Sequence, residues 1–353
     1  MRIHHFYPRT RNIGDHFVGA GIHSLVRRFR SDATFELFDV NSRGLSDRDY
    51  GLTREAIERA NKDADLVIVG GSNLYEGAVG WSWGVQLDPQ ALEDLRVPLF
   101  LVGVGTGSAF ASPVHRPNRK ARTEIKLLNH AAALSWARDV VTLEWLRELG
   151  ISKAEMLGDP ATFLFNSPYQ MSAKTGYTLI VVPPSRIWSN RRGFLNSTRF
   201  GRPIFRAMVE LSGELIDKGE QVVVACNDPH EFRLTKKLFA KEVVCPVSAD
   251  EYFRLLRGAR AVLSGRLHTA AVALSMGIPF LIFDLDQRTH GFIRTYELEH
   301  ASLPLSVRQS GAQTIDRLLN WNHDAWINSL RVRDDLYRRA MERLGEELAL
   351  LSA

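Results

Sequence analysis

The chain is poor in cysteine, with only Cys226 and Cys245 in 353 residues. That excludes a disulfide framework and points to a reducing, cytoplasmic compartment. No apolar run reaches the roughly 18–20 residues that a membrane-spanning helix needs. The opening Met1-Arg2-Ile3-His4-His5-Phe6 lacks the apolar core of a secretory signal. No His, Cys and carboxylate set has zinc spacing, so no metal is expected. Gly103-Val104-Gly105-Thr106-Gly107 fails the dinucleotide fingerprint at Ser108, and neither a Walker-type loop nor a Gly-x-Ser-x-Gly elbow occurs. Nicotinamide, ATP and elbow-type hydrolase chemistries therefore lose support. Lysine is also scarce, 9 against 36 arginines, and no block of five like charges marks a nucleic-acid tail. A net charge of +5 leaves anionic ligands or an anionic membrane surface as partners, not nucleic acid.

What is present is a repeated alternation of short apolar runs and amphipathic stretches, the pattern of β-α units with parallel sheets. The first half predicts strands at Ile3–Tyr7, Thr34–Phe38, Leu66–Val69, Leu99–Gly103, Ala132–Trp136 and Glu155–Leu157. Helical patterns lie between them at Phe17–Arg30, Arg54–Lys62, Arg119–His130 and Val141–Leu149. A turn-rich seam near Phe165–Gly176 interrupts the pattern. It restarts with strands at Tyr177–Val182, Gln221–Cys226, Glu242–Cys245, Ala261–Leu263 and Pro279–Phe283. The intervening helices are Ile204–Lys218, His230–Phe239, Ala249–Leu256 and Arg266–Met276, and a long charged helix spans Asp324–Leu351.

The expected fold is α/β: two doubly wound, Rossmann-like domains facing a cleft, residues 1–168 and 176–315. An extension, 316–353, packs back on the first domain. Ligands of such sheets bind at the carboxyl ends of the strands, so the residues that follow each strand are the candidates.

Asn12-Ile13-Gly14-Asp15 follows the first strand, where Asp15 reads first as a helix cap. Gly70-Gly71-Ser72-Asn73 follows the third and presents main-chain N–H groups to an anion or a sugar. Arg138 follows the fifth, either as an anion clamp or as a partner of Asp139. Asp159, in Gly158-Asp159-Pro160-Ala161, can hold a hydroxyl, orient an arginine or cap. The sharpest signal is Ser264-Gly265-Arg266-Leu267-His268, which opens an alanine-rich helix. It places Arg266 and His268 at a helix N-terminus, where the dipole favours an anion and disfavours imidazolium. His268 is thus expected to be neutral and able to accept a proton. Arg288 and His290 follow the last strand at the same sheet edge. Trp81, Trp83 and Trp188 in loops read as hydrophobic anchors before sugar-stacking platforms.

The ordered series Asn12-x-Gly14-Asp15, Gly70-Gly71, Arg138-Asp139, Asp159-Pro160-Ala161 and Arg266-x-His268 with Ala-x-x-x-Gly-x-Pro resembles the polysaccharide pyruvyl transferase family over roughly Ile3 to Phe292. Two positions depart from that pattern: Ser72 stands where a third Gly is usual, and Arg288 where a Lys is expected. The resemblance implies a GT-B-like fold and transfer of the enolpyruvyl unit of phosphoenolpyruvate onto two hydroxyls of a sugar. The products are a pyruvate ketal and phosphate, with phosphoenolpyruvate as co-substrate and no cofactor. It implies Arg138, Arg266, Arg288, Ser264, Gly265 and His290 at the donor, and His268, Arg266 and Asp159 in catalysis. Asn12, Gly14, Asp15, Gly71, Ser72 and Asn73 fall on the acceptor side. The expected acceptor is a sugar of a polysaccharide, such as an exopolysaccharide, or of its precursor, or a lipid-linked oligosaccharide, the latter near the inner face of a membrane. A GT-B glycosyltransferase using a nucleotide sugar and a catalytically silent sugar- or phosphate-binding paralogue are the competing expectations.

Overall fold

The computed structural model describes residues 1–8, 13–40, 51–75, 83–107, 117–165, 176–184, 195–227, 229–239, 242–304 and 311–351. Among the described residues, twelve strands form two parallel sheets. The first contains β1 (Arg2–Tyr7), β2 (Thr34–Asp39), β3 (Leu66–Gly70), β4 (Leu99–Val104), β5 (Leu134–Ala137) and β6 (Glu155–Met156), in the order β2-β1-β3-β4-β5-β6. The second contains β7 (Tyr177–Val181), β8 (Val222–Ala225), β9 (Val243–Val244), β10 (Ala259–Ser264), β11 (Phe280–Asp284) and β12 (Ser302–Pro304), in the order β12-β11-β10-β7-β8-β9. Central strands such as β3 and β4 are buried along their whole length, which is why their sequences are continuous apolar runs rather than alternating ones.

Each order reverses once, between β1 and β3 in the first sheet and between β7 and β10 in the second. At such a reversal the crossover helices leave to opposite faces and open a crevice at the strand carboxyl ends. Of the four loops at these reversals, those after β1, β3 and β10 are among the ones the sequence singles out as ligand-facing. One apolar cluster runs from Ile3 and Phe17 beside the first sheet to Phe280 and Trp326 beside the second. Among the described residues no helix is long and apolar enough to cross a membrane.

The C-terminal helix, His323–Leu350, does not pack on the first sheet's side alone; it straddles both. Trp326 packs edge-on against Phe280 at 5.2 Å, Tyr337 lies over Phe163 at 5.5 Å, and Gly345 abuts the Phe29 ring. Midway, buried Arg333 donates to the Leu274 carbonyl at 2.7 Å, tying this helix to the end of the helix Leu267–Ser275. Its buried points include Trp326, Leu330, Leu336, Ala340, Leu344 and Leu348, a stripe long enough to cover both sides of the junction.

Three further differences have local causes. The helix expected from Ile204 begins at Leu195 and carries Pro203 inside it, where a proline signals a boundary in the sequence. Asp284–Gly291, to which the sequence assigns no helix, contains the start of the helix Gln287–Thr295, nucleated by a capping box between Asp286 and Thr289. The short strand β12 carries too few residues for a periodicity. The seam falls largely outside the described residues.

Candidate active site

A cavity of about 1050 Å³ lies between the carboxyl edges of the two sheets. Its wall includes Gly14, Asp15 and His16 after β1, Ser72 and Asn73 after β3, and Arg138 after β5. From the second sheet come Gly265, Arg266 and His268 after β10, and Asp286 and Arg288 after β11. The first turns of the helices Ile13–Arg27, Leu267–Ser275 and Gln287–Thr295 open into it, so their positive dipole ends converge.

His268 stands at the second position of its helix, behind Arg266 as N-cap. It packs so closely on Gly14 that a Cβ there would lie 2.3 Å from Nδ1. Only glycine lets the two lobes meet at this point. Behind the imidazole sits Asp159, fully buried, with Oδ2 3.8 Å from His268 Nε2. Neither of those two atoms has a hydrogen-bond partner. Burial lowers the His268 pKa to about 4, reinforced by Arg138, Arg288 and Arg266 and opposed by Asp15. Burial also raises the Asp159 carboxyl, against the pull of Arg138 and the Ala161 N–H. The imidazole is therefore neutral at pH 7, with the Asp159 carboxyl group held behind it.

Asp159 is set by its surroundings. Its side chain caps Ala161 N at 3.0 Å, and its own N–H donates to the Tyr296 hydroxyl at 2.9 Å. Tyr296 also exchanges a hydrogen bond with Thr162 at 2.9 Å, so a residue beyond the second sheet fixes the carboxylate of the first lobe.

Each arginine of the wall answers a carboxylate. Arg266 donates to Glu231 at 2.5 Å and to the Val182 carbonyl at 3.0 Å. Arg288 forks onto Asp286 through Nε at 3.1 Å and Nη2 at 2.5 Å. Burial works against the Asp286 carboxylate, but Arg288 and two backbone N–H groups hold it below its usual range. Arg138 is both of the things its sequence position offered. It forks onto Asp139 at 3.2 Å while lining the cavity, and Asp139 caps Thr142. Gly105 makes room for it, since a Cβ there would meet the guanidinium carbon at 2.5 Å.

Some expected residues lie elsewhere. Asp159 backs His268 but is not part of the cavity wall. Ser264 is buried and spends its hydroxyl on the N–H and carbonyl of Arg266. Gly71 packs against Val18 below the wall. His290 is half exposed, away from the wall, and pairs with Asp284 at 3.2 Å. One turn further into its helix than Asp286, it faces outward. Trp83 is a buried anchor donating to Glu124 at 2.6 Å. Asn12, Trp81 and Trp188 fall outside the described residues.

Sequence reasoning missed Glu231, Asp286, Gly105 and Tyr296 as site-building residues. Asp286-x-Arg288 carried a local signal, a cap two residues from its arginine. Glu231 lies 35 residues from Arg266, and its place in the polar stretch Asn227-Asp228-Pro229-His230-Glu231 reads as helix capping rather than as that arginine's partner. Among the described residues no three His, Cys, Asp or Glu side chains group to hold a metal ion.

Two facing parallel sheets with a polar, arginine-lined cleft at their switch points define a two-lobed α/β protein of GT-B architecture. The UDP-GlcNAc 2-epimerase of Neisseria meningitidis aligns over 99% of this chain and 100% of its own at a TM-score of 0.58 and 11% identity. A putative UDP-N-acetylglucosamine 2-epimerase from Listeria monocytogenes aligns over 96% and 94% at 0.57 and 14% identity. The glycosyltransferase SnogD from Streptomyces nogalater aligns over 99% of both chains at 0.53 and 15% identity. These likenesses concern the fold. No curated protein matches the chain in sequence. The family model for polysaccharide pyruvyl transferase matches residues 12–287, and the chain belongs to that family.

Proposed function

We propose that the protein transfers the enolpyruvyl unit of phosphoenolpyruvate onto two hydroxyls of a sugar destined for a polysaccharide. The observation that carries this reading is His268, neutral and walled in between Gly14 and Asp159 at a helix N-terminus, with Arg138, Arg266 and Arg288 in the same cavity. A three-carbon donor bearing a carboxylate and a phosphate suits convergent guanidinium groups and helix N-termini.

The reaction balances without a redox partner. One sugar hydroxyl forms a bond to C2 while C3 gains a proton. The second hydroxyl then forms its bond to C2 as the C2–O(phosphate) bond breaks, and its proton leaves with phosphate. His268 moves the proton, and Asp159 orients the ring and steadies the imidazolium. The arginines draw charge onto the departing phosphate. A bound dianion opposes the depressed pKa of His268, so the donor itself readies the imidazole for protonation.

The test is phosphate release from phosphoenolpyruvate across a panel of sugars, with mass spectrometry for the ketal. His268→Ala should lose about 10²–10⁴-fold in turnover while melting near the native temperature. Retained turnover refutes the role. Stabilisation by UDP, GDP or CMP sugars but not by phosphoenolpyruvate would favour glycosyl transfer, and tight donor binding without phosphate release a silent paralogue.

A further inference from the structure

Ser72 lines the cavity at the carboxyl end of β3 with φ of 70°, the left-handed region where glycine sits without steric cost and serine does not. The backbone is pinned there: the Gly105 N–H donates to the Ser72 carbonyl at 3.0 Å, and the Gly71 N–H to Val102 at 3.0 Å. The next residue, Asn73, also lines the cavity and donates from Nδ2 to the Gly107 carbonyl at 3.2 Å. That contact fixes the amide and leaves Oδ1 buried with no hydrogen-bond partner. A strained serine and an unanswered buried acceptor on adjacent wall residues are two costs with no return inside the protein.

We infer that Ser72 and Asn73 read the hydroxyls of the acceptor sugar: one hydroxyl donates to Asn73 Oδ1 and a neighbouring one exchanges a hydrogen bond with Ser72 Oγ. The inference rests on the pyruvyl transfer reading and adds the chemistry by which the acceptor is recognised. An anion is the wrong occupant, because an amide oxygen repels it. An ammonium group is disfavoured in a cavity that also holds Arg138, Arg266 and Arg288. A neutral polyol both donates and accepts, as these two side chains require.

Three variants of the full chain separate strain from recognition. Ser72→Gly removes strain and hydroxyl together, Ser72→Ala removes only the hydroxyl, and Asn73→Ala removes the acceptor. Saturation-transfer NMR with the methyl glycosides of glucose, mannose and galactose reads sugar binding without turnover. Phosphoenolpyruvate-induced thermal shift reads the donor side. All three variants should weaken binding of the preferred glycoside by about 3–10-fold, the worth of one hydrogen bond, with the phosphoenolpyruvate shift intact. Ser72→Gly should melt at or up to about 3 °C above the native chain, and Ser72→Ala should not rise. Native affinity for the glycoside in Ser72→Gly and Asn73→Ala, or no glycoside binding by the native chain, overturns the inference. Glycoside binding without any response to phosphoenolpyruvate leaves the hydroxyl subsite standing and sinks the pyruvyl transfer reading instead.

Discussion

Gly14→Ala is the sharpest small perturbation of the site. The added methyl would lie 2.3 Å from His268 Nδ1, 3.0 Å from Cγ and 3.2 Å from Cβ, where ordinary contact begins at 3.4 Å. The imidazole must therefore withdraw by about 1 Å, a displacement that typically costs about 10²-fold in rate when it falls on a reacting group. The fold loses less. Overpacking costs about 1–3 kcal/mol, and alanine in place of glycine within a helix returns up to about 1 kcal/mol. The assay is phosphate release at saturating phosphoenolpyruvate, read beside a thermal melt. Turnover should fall by about two orders of magnitude, with a melting temperature lowered by no more than about 8 °C. Native turnover at native stability would refute the claim that Gly14 exists to seat His268.

Gly105→Ala pushes on the Arg138 guanidinium instead, so it should raise KM for phosphoenolpyruvate more than it lowers kcat, measured by the same assay. Glu231→Gln leaves the part-buried Arg266 guanidinium without its carboxylate and should destabilise the free protein by about 1–3 kcal/mol. An anion in the cleft restores the missing charge, so the thermal shift on adding phosphoenolpyruvate should exceed that of the native chain. An NMR titration of the free protein should find His268 neutral down to about pH 4, with phosphoenolpyruvate moving the midpoint upward. An imidazole pair also joins β1 to the helix Ile13–Arg27, with His5 Nδ1 3.0 Å from His23 Nε2. Burial drives His5 well below its usual value, and His23 to about 4 with help from Arg27. The unfolded chain takes up these protons first as pH drops below 6.5, so stability falls between about 6.5 and 4, by on the order of 3 kcal/mol for His23 alone. His23→Gln should flatten that acid slope in denaturant melts.

The architecture was legible because parallel strands buried on both faces are short apolar runs, and runs such as Leu66–Val69 and Leu99–Gly103 cannot be read as anything exposed. The strand-end rule then pointed to Gly14, Ser72, Asn73, Arg138, Gly265, Arg266, His268 and Arg288, all of which meet in one cavity. Long-range pairings were not legible. The Arg266–Glu231 bridge, the hydrogen bond from Asp159 to Tyr296 and the seating of His268 on Gly14 join residues distant in the chain, and no periodicity encodes them. His290 misled for the opposite reason: two positions beyond Arg288 on a helix that the sequence did not announce, it turns outward.

The most direct measurement follows phosphoenolpyruvate labelled with ¹³C at C2 by NMR, in the presence of sugar acceptor, for the native chain and His268→Ala. The native chain should move the label into a quaternary ketal carbon as phosphate appears, and the variant should leave it in phosphoenolpyruvate. Ketal formation at comparable rates by both, or a native chain that ignores phosphoenolpyruvate while consuming a nucleotide sugar, would contradict the account.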